Sequence, residues 1–150
     1  MYMKNHQITV ALLAACLTMA TSVSHAEVVV TGAWVRATVP NQQATGAFMQ
    51  LVSKKDTTLV SARSDIAGIV EVHEMKMEND VMRMRAVGGL KLPANQPVEL
   101  KSGGYHLMMM DLKKQLKVGS EAQITLVFKD AKGESETTYV HAPVALTQPK

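Results

Sequence analysis

Hydrophobic and polar residues alternate in short runs after residue 26, and turn-forming residues separate the runs. Alternation with a period of two places the apolar side chains on one face of a strand, and no stretch shows the 3.6-residue period of a long helix. The predicted strands cover residues 28–30, 34–38, 46–53, 57–62, 70–77, 81–87, 97–101, 105–112, 122–129 and 136–141. Short strands at this spacing indicate an all-β fold, either an antiparallel sandwich or a Greek-key barrel.

The clearest local pattern is a β-hairpin in the middle of the chain. Residues 70–77 and 81–87 both alternate, and the polar residues 78–80 between them favour a tight turn. A second turn at residues 102–104 opens the run 105–112. The pattern predicts one domain in residues 27–150, with residues 143–150 as a short loose tail.

The N-terminus has the pattern of an export signal. Lys4 lies in a short polar start, and an apolar run at residues 8–20 follows it. Residues 24–26 then place small side chains where a signal peptidase cleaves. We therefore predict a signal peptide at residues 1–26 and a mature periplasmic protein that begins at Glu27 and does not span the membrane. The alternative is lipidation at Cys16, because residues 13–16 resemble a bacterial lipobox.

Charge and cysteine content exclude several classes of protein. The 16 basic and 13 acidic residues give a formal net charge of +3, which falls to +2 when Lys4 leaves with the signal peptide. No basic face with interleaved aromatic residues is present, so the sequence does not indicate nucleic acid binding. The densest basic cluster, Lys113, Lys114 and Lys117, is interpreted as a solvated face rather than a docking patch. Neither a GxSxG nor an HExxH motif indicates a hydrolase.

Four residues carry the candidate chemistry, and their spacing is His-x10-Met-x21-His-x-Met: His73, Met84, His106 and Met108. Thioethers are soft, uncharged donors and imidazole suits copper, so this set favours Cu(I). The only cysteine, Cys16, lies in the predicted signal peptide. Outside the cytoplasm thiolates readily form disulfides, whereas thioethers do not. Because residues two apart on a strand share a face, His106 and Met108 can bind one ion together.

Several neighbouring residues have two open interpretations. Met75 shares a face with His73 and is the best spare ligand, although a single methionine is commonly core filler. Glu71 and Glu74 flank His73 and are either solvated or orient its ring. Trp34 is a core anchor or a lid over the metal. His141 is an exposed residue or an accessory copper contact. Met110 shares the face of His106 and Met108, where it is either apolar rim or a shield over the site.

The chain resembles the periplasmic copper-A chaperone family, or PCuAC, whose motif has the same spacing as the four residues above. The resemblance extends over residues 33–37, 72–75, 82–84, 103–108, 112–116 and 118–119. It implies a cupredoxin-like β-sandwich that binds Cu(I) through His73, Met84, His106 and Met108. It also implies delivery of copper to an accepting protein, such as a subunit or assembly factor of cytochrome c oxidase, toward the copper-A centre. Many relatives have a His- and Met-rich C-terminal extension, whereas this tail offers only His141.

Three other functions compete with delivery. The same site could store or buffer copper for homeostasis or tolerance. A redox enzyme is less compatible with the sequence, because a blue-copper site needs a cysteine thiolate. A metal-free exported β-sandwich that binds another protein would use its methionines as an adaptable surface. We expect a binding protein and not an enzyme.

Overall fold

The computed structural model describes residues 27–150, so the predicted signal peptide and Cys16 lie outside the described residues. This part of the chain forms ten strands: β1 (Val28–Arg36), β2 (Ala44–Ser53), β3 (Thr57–Ser64), β4 (Ala67–Glu78), β5 (Val81–Ala86), β6 (Leu90–Leu92), β7 (Pro97–Leu100), β8 (Tyr105–Leu112), β9 (Glu121–Asp130) and β10 (Ser135–Ala145). The all-β prediction is confirmed. Among residues 27–150 there is no helix with the length and apolar character needed to cross a membrane.

Seven of the strands close into a barrel in the order β4-β8-β2-β1-β10-β9-β3. The ring closes where β3 returns to β4 at the pair Ser64 and Ala67. Strands β5, β6 and β7 add to β4, β3 and β2 without joining the ring. All of these pairings are antiparallel except β1–β10, where Val35 lies beside Val144 in a parallel pair. The parallel pair is a departure from the purely antiparallel sandwich that the strand spacing also allowed.

The inward face of each barrel strand supplies the core. Val35, Leu51, Leu107, Ile124 and Phe128 are almost completely buried and belong to one continuous apolar cluster. Strand β8 alternates between the two faces of the barrel wall, because Leu107 and Met109 point into this core. The residues that alternate with them, at positions 106, 108 and 110, therefore project from the outer face of the wall.

The predicted strands match the observed ones closely, with three corrections. The runs predicted at residues 28–30 and 34–38 form the single strand β1, which ends at Arg36. Strand β6 was not predicted, because three residues between Gly89 and Pro93 are too few to show an alternation. Strand β10 runs through Pro143 to Ala145, so the predicted loose tail begins later than residue 143. Val144 is buried and pairs with β1, and this burial extends the strand past the proline.

The predicted hairpin is strands β4 and β5. Its turn places Asn79 and Asp80 at φ values of 50° and 62°, which is the geometry of a type I′ turn. The pairing of β4 with β8 ends at Glu74 and Tyr105, whereas the pairing with β5 continues to Glu78 and Val81. The outer half of the hairpin therefore extends beyond the barrel wall, where β4 and β5 pair only with each other.

Candidate metal centre

Two histidines face each other across strands β4 and β8. His73 and His106 are direct partners in the antiparallel register, so both side chains project from the same outer face. Their ring centroids are 6.0 Å apart and the ring planes meet at 62°. The register therefore brings together two imidazoles that are 33 positions apart in the sequence.

His106 is held in one orientation by the turn that precedes β8. Its Nδ1 lies 3.2 Å from the carbonyl oxygen of Gly104, and the same oxygen accepts the backbone N–H of Met75 at 3.1 Å. A ring that donates through Nδ1–H leaves the lone pair of Nε2 free for a metal.

Burial lowers the pKa of His106. The hydrogen bond to Gly104 acts in the opposite direction, and nearby His73 and Arg36 add to the lowering. The ring is therefore neutral at neutral pH, which is the state that binds a metal ion.

His73 has one nitrogen with a partner and one without. Its Nε2 lies 3.1 Å from Oε2 of Glu71, whereas its Nδ1 is buried and has no hydrogen-bond partner. A ring that donates through Nε2–H to Glu71 leaves a buried lone pair on Nδ1, and buried polar atoms rarely stay unsatisfied. The interpretation of Glu71 as an orienting residue fits this geometry, while Glu74 instead pairs with Arg85 at 3.2 Å.

The thioethers lie on the same outer face. Met108 is opposite Glu71 on β4 and opposite Gly46 on β2, and Met84 is opposite Met75 in the hairpin. An open groove of about 330 Å³ is lined by Met75, Met84, His106 and Met108 together with residues of β2 and the turn before β8. Three of the four predicted residues line this groove. His73 is not among its lining residues and lies beside it through the ring pair with His106.

An aromatic pair, Trp34 and Phe48, lies next to the groove, and the sequence indicated no role for Phe48. Phe48 lines the groove, and its ring leans over Gly46 so closely that a Cβ at Gly46 would lie 2.7 Å from Phe48 Cζ. Trp34 packs against Phe48 with ring centroids 4.8 Å apart, and the Arg36 guanidinium lies 5.2 Å from the Phe48 centroid. These residues share a face only through the register of β1, β2 and β8, and no local sequence pattern reveals that register.

These positions bear on two of the open interpretations. Trp34 is buried and anchors against the sheet through Phe48, although it packs on the outer face and lies outside the main core cluster. It does not line the groove, so the structure does not support a lid. His141 lies on β10, three strands from β8 in the sheet order, where its Nδ1 is 2.9 Å from Glu121. This position fits the interpretation of His141 as an exposed residue and does not support an accessory copper contact.

Other predicted positions agree with their simpler interpretations. Lys113, Lys114 and Lys117 are exposed, and Met110 is half-buried on β8 on the face that also carries Met108. Within residues 27–150, no group of three or more His, Cys, Asp or Glu side chains is arranged to hold a metal ion. The candidate donors that line the groove are one imidazole and three thioethers, and the second imidazole, that of His73, lies beside the groove.

Comparison with known proteins gives the family. Residues 28–144 match the family described as "Putative lipoprotein LpqE-like". "Putative lipoprotein Lxx21020" of Leifsonia xyli is 31% identical over 116 residues, which are 77% of this chain and 68% of the relative. The structure of CuI-DR1885 from Deinococcus radiodurans is 34% identical with a TM-score of 0.59, and the match covers 75% of this chain and 74% of that one.

A more distant solved structure supports the same fold. The apo PCuAC domain from PmoF1 is 21% identical with a TM-score of 0.65, and the match covers 81% of this chain and 96% of that domain. These comparisons confirm both the cupredoxin-like fold and the resemblance to PCuAC proteins. The chain thus belongs to the LpqE-like family and has the fold of a PCuAC domain.

Proposed function

We propose that this protein binds one Cu(I) ion as cargo through His73, Met84, His106 and Met108 and delivers it to an accepting protein. The opposed histidine pair carries the proposal, because the buried Nδ1 of His73 has no partner and thioethers lie on the same face. The similarity to DR1885, which was solved with Cu(I), supports the choice of ion.

The donor chemistry fits Cu(I) better than a harder ion. Two neutral imidazoles and two thioethers add no negative charge, and soft sulfur donors favour the monovalent ion. The carboxylate of Glu71 pairs with a ring nitrogen of His73, so its role is to orient that ligand. The site therefore binds the ion without a thiolate.

The position of Met84 favours delivery over storage. Met84 is 49% exposed on β5, which is the terminal strand of the sheet. An exposed thioether can be replaced by a donor of a second protein without the site opening first, and the ion then passes by ligand exchange. Following the family resemblance, we propose that the acceptor is a subunit or assembly factor of cytochrome c oxidase and that the copper-A centre is the destination. Copper buffering uses the same site and is the alternative.

Export is part of the proposal. PCuAC domains and the LpqE-like family both fit an exported protein. The word lipoprotein in the family description supports the alternative at Cys16 beside cleavage before Glu27. The thioether donors suit the oxidising compartment in either case, because they do not form disulfides.

Replacing either methionine ligand by leucine is the direct test. Leucine keeps the volume and the apolar character of methionine but has no sulfur. We expect wild-type protein to bind one Cu(I) tightly in an anaerobic competition titration with a chromogenic chelator. Met84→Leu and Met108→Leu should each weaken this binding at least about tenfold, because each removes a donor from the metal.

Two matched variants control this titration. Met110→Leu makes the same substitution on β8 outside the ligand set and should retain the wild-type affinity. Met75→Leu distinguishes the two thioethers that face each other in the hairpin, and we expect it to change the affinity less than Met84→Leu. Wild-type affinity in both Met84→Leu and Met108→Leu would overturn the assigned site.

The pairing of Glu71 with His73 gives a second prediction. Glu71→Gln keeps the shape of the side chain but replaces a charged acceptor by a neutral one, so the contact that orients the His73 ring becomes weaker. We expect the Cu(I) affinity to fall by about tenfold, as is typical when a residue that orients a metal ligand is removed. The competition titration measures this change.

The control for Glu71→Gln is Glu121→Gln. It alters the second carboxylate–histidine contact of the described residues, at His141, and should leave copper binding unchanged. If Glu71→Gln retains the wild-type affinity, Glu71 is a solvated residue with no influence on His73.

A further inference from the structure

The candidate site continues onto the hairpin as a ladder of methionines. Strands β4 and β5 place Met75 opposite Met84 and Met77 opposite Met82. Residues two apart on a strand share a face, so both pairs lie on the face that carries His73. The face thus presents, in succession, a histidine pair, the pair Met75–Met84 and the pair Met77–Met82.

The outer pair is unusually exposed for apolar residues. Met77 is 58% exposed and Met82 is 45% exposed, and every residue of β5 is exposed. Clustered apolar side chains on a surface commonly mark a site of interaction. Neither side chain contributes to the core cluster of the described residues, so core packing does not explain them.

The opposite face of the hairpin holds the ladder in register. Arg85 pairs with Glu74 at 3.2 Å and with Glu78 at 3.5 Å, while Arg83 lies 3.9 Å from Glu78. Opposite charges across neighbouring strands favour one alignment. The Met75 N–H also donates to the carbonyl oxygen of Gly104 at 3.1 Å and fixes the base of the hairpin to the turn before β8.

We propose that Met77 and Met82 form a second, weaker Cu(I) site from which the ion moves to the main site. Residues directly opposite on antiparallel strands have Cβ atoms about 5 Å apart, and flexible methionine side chains can bring both sulfurs to one ion at that separation. Two neutral thioethers select a soft monovalent ion. The site is weaker than the main one because it has two donors and no imidazole.

Transfer along the ladder is an exchange of donors. A thioether of Met75 or Met84 binds the ion as a thioether of Met77 or Met82 leaves, and the histidine pair completes the main site. The ion stays Cu(I) throughout, so no electron or proton is transferred. The direction follows from the larger number of donors at the main site. The cargo and the destination rest on the proposed function, whereas binding at the outer pair does not.

The test follows the methionine methyl groups by NMR during anaerobic Cu(I) addition to the mature chain. We expect the first equivalent to shift Met84 and Met108, and further Cu(I) to shift Met77 and Met82. The double variant Met77→Leu/Met82→Leu should keep the first-ion affinity within about twofold of wild type, since leucine preserves apolar volume. It should load from a dilute Cu(I)–chelator complex at least about threefold more slowly, because the two outer donors are absent.

Met110→Leu is the matched control and should load at the wild-type rate. If excess Cu(I) leaves the Met77 and Met82 methyl groups unshifted, or the double variant loads at the wild-type rate, the hairpin proposal is wrong although the one-ion function stands. If Cu(I) shifts Met77 and Met82 but not Met84 and Met108, the second site stands and the proposed function is wrong. If no methionine responds, both are wrong.

Discussion

Replacing His106 by alanine should weaken Cu(I) binding at least about a hundredfold, because the substitution removes a proposed metal ligand. We expect a larger loss of affinity than for Glu71→Gln, which alters only a residue that orients a ligand. His106 is 6% exposed and is the only histidine that lines the groove among the described residues. In the proposed site its neutral ring would bind the ion through Nε2, and the contact of Nδ1 with the carbonyl oxygen of Gly104 fixes the orientation of the ring. Competition titration under anaerobic conditions measures the loss.

His141→Ala is the matched control for this experiment. It removes an exposed histidine three strands away in the sheet and should leave the Cu(I) affinity unchanged. Circular dichroism of both variants establishes that the barrel is still folded when the affinity is compared. A folded His106→Ala protein with wild-type affinity would remove His106 from the ligand set and contradict the groove as the metal centre.

Leu107, the next residue on β8, should affect the stability of the fold and not the affinity for copper. Leu107 is completely buried in the barrel core, between two residues that face outward. Leu107→Ala removes buried apolar atoms and leaves a cavity, so the free energy of unfolding should fall by about 2–5 kcal/mol. Guanidinium denaturation of the apo protein, monitored by circular dichroism, measures the change.

Leu146→Ala provides the same substitution at an exposed position. Leu146 is 72% exposed just after β10, and the free energy of unfolding should change by less than about 0.5 kcal/mol. A loss below about 1 kcal/mol for Leu107→Ala would show that the interior of the barrel relaxes around this position. Such a result would be incompatible with the tight core described for β8.

Local patterns were sufficient to predict the hairpin and strand β8. The turn at Asn79 and Asp80 fixes the register of β4 against β5, so the pairing of Met75 with Met84 follows from nearby residues. The spacing of His106 and Met108 predicts a shared face, and the structure places both outward. The apolar character of β8 on both faces, however, did not reveal which face is the core.

The pairing of strands that are distant in the sequence could not be predicted from the sequence. The register of β4 against β8 decides that His73 faces His106, and no local turn sets this register because residues 79–104 separate the two strands. Strand β6 exists only because its three residues pair with β3. Val144 is a further example, because its pairing with β1 joins the two ends of the described chain. This pairing places residues 143–145 in a strand, although the sequence predicted a loose tail there.

The carbonyl oxygen of Gly104 accepts hydrogen bonds from both the His106 ring and the Met75 amide. One acceptor therefore links the orientation of a side chain on β8 to the position of the hairpin. The amide proton of Met75 exchanges with solvent only when its bond to this oxygen breaks, and local opening of that kind is what amide hydrogen exchange measures. Its protection factor is consequently a backbone reporter of the alignment between the two halves of the groove.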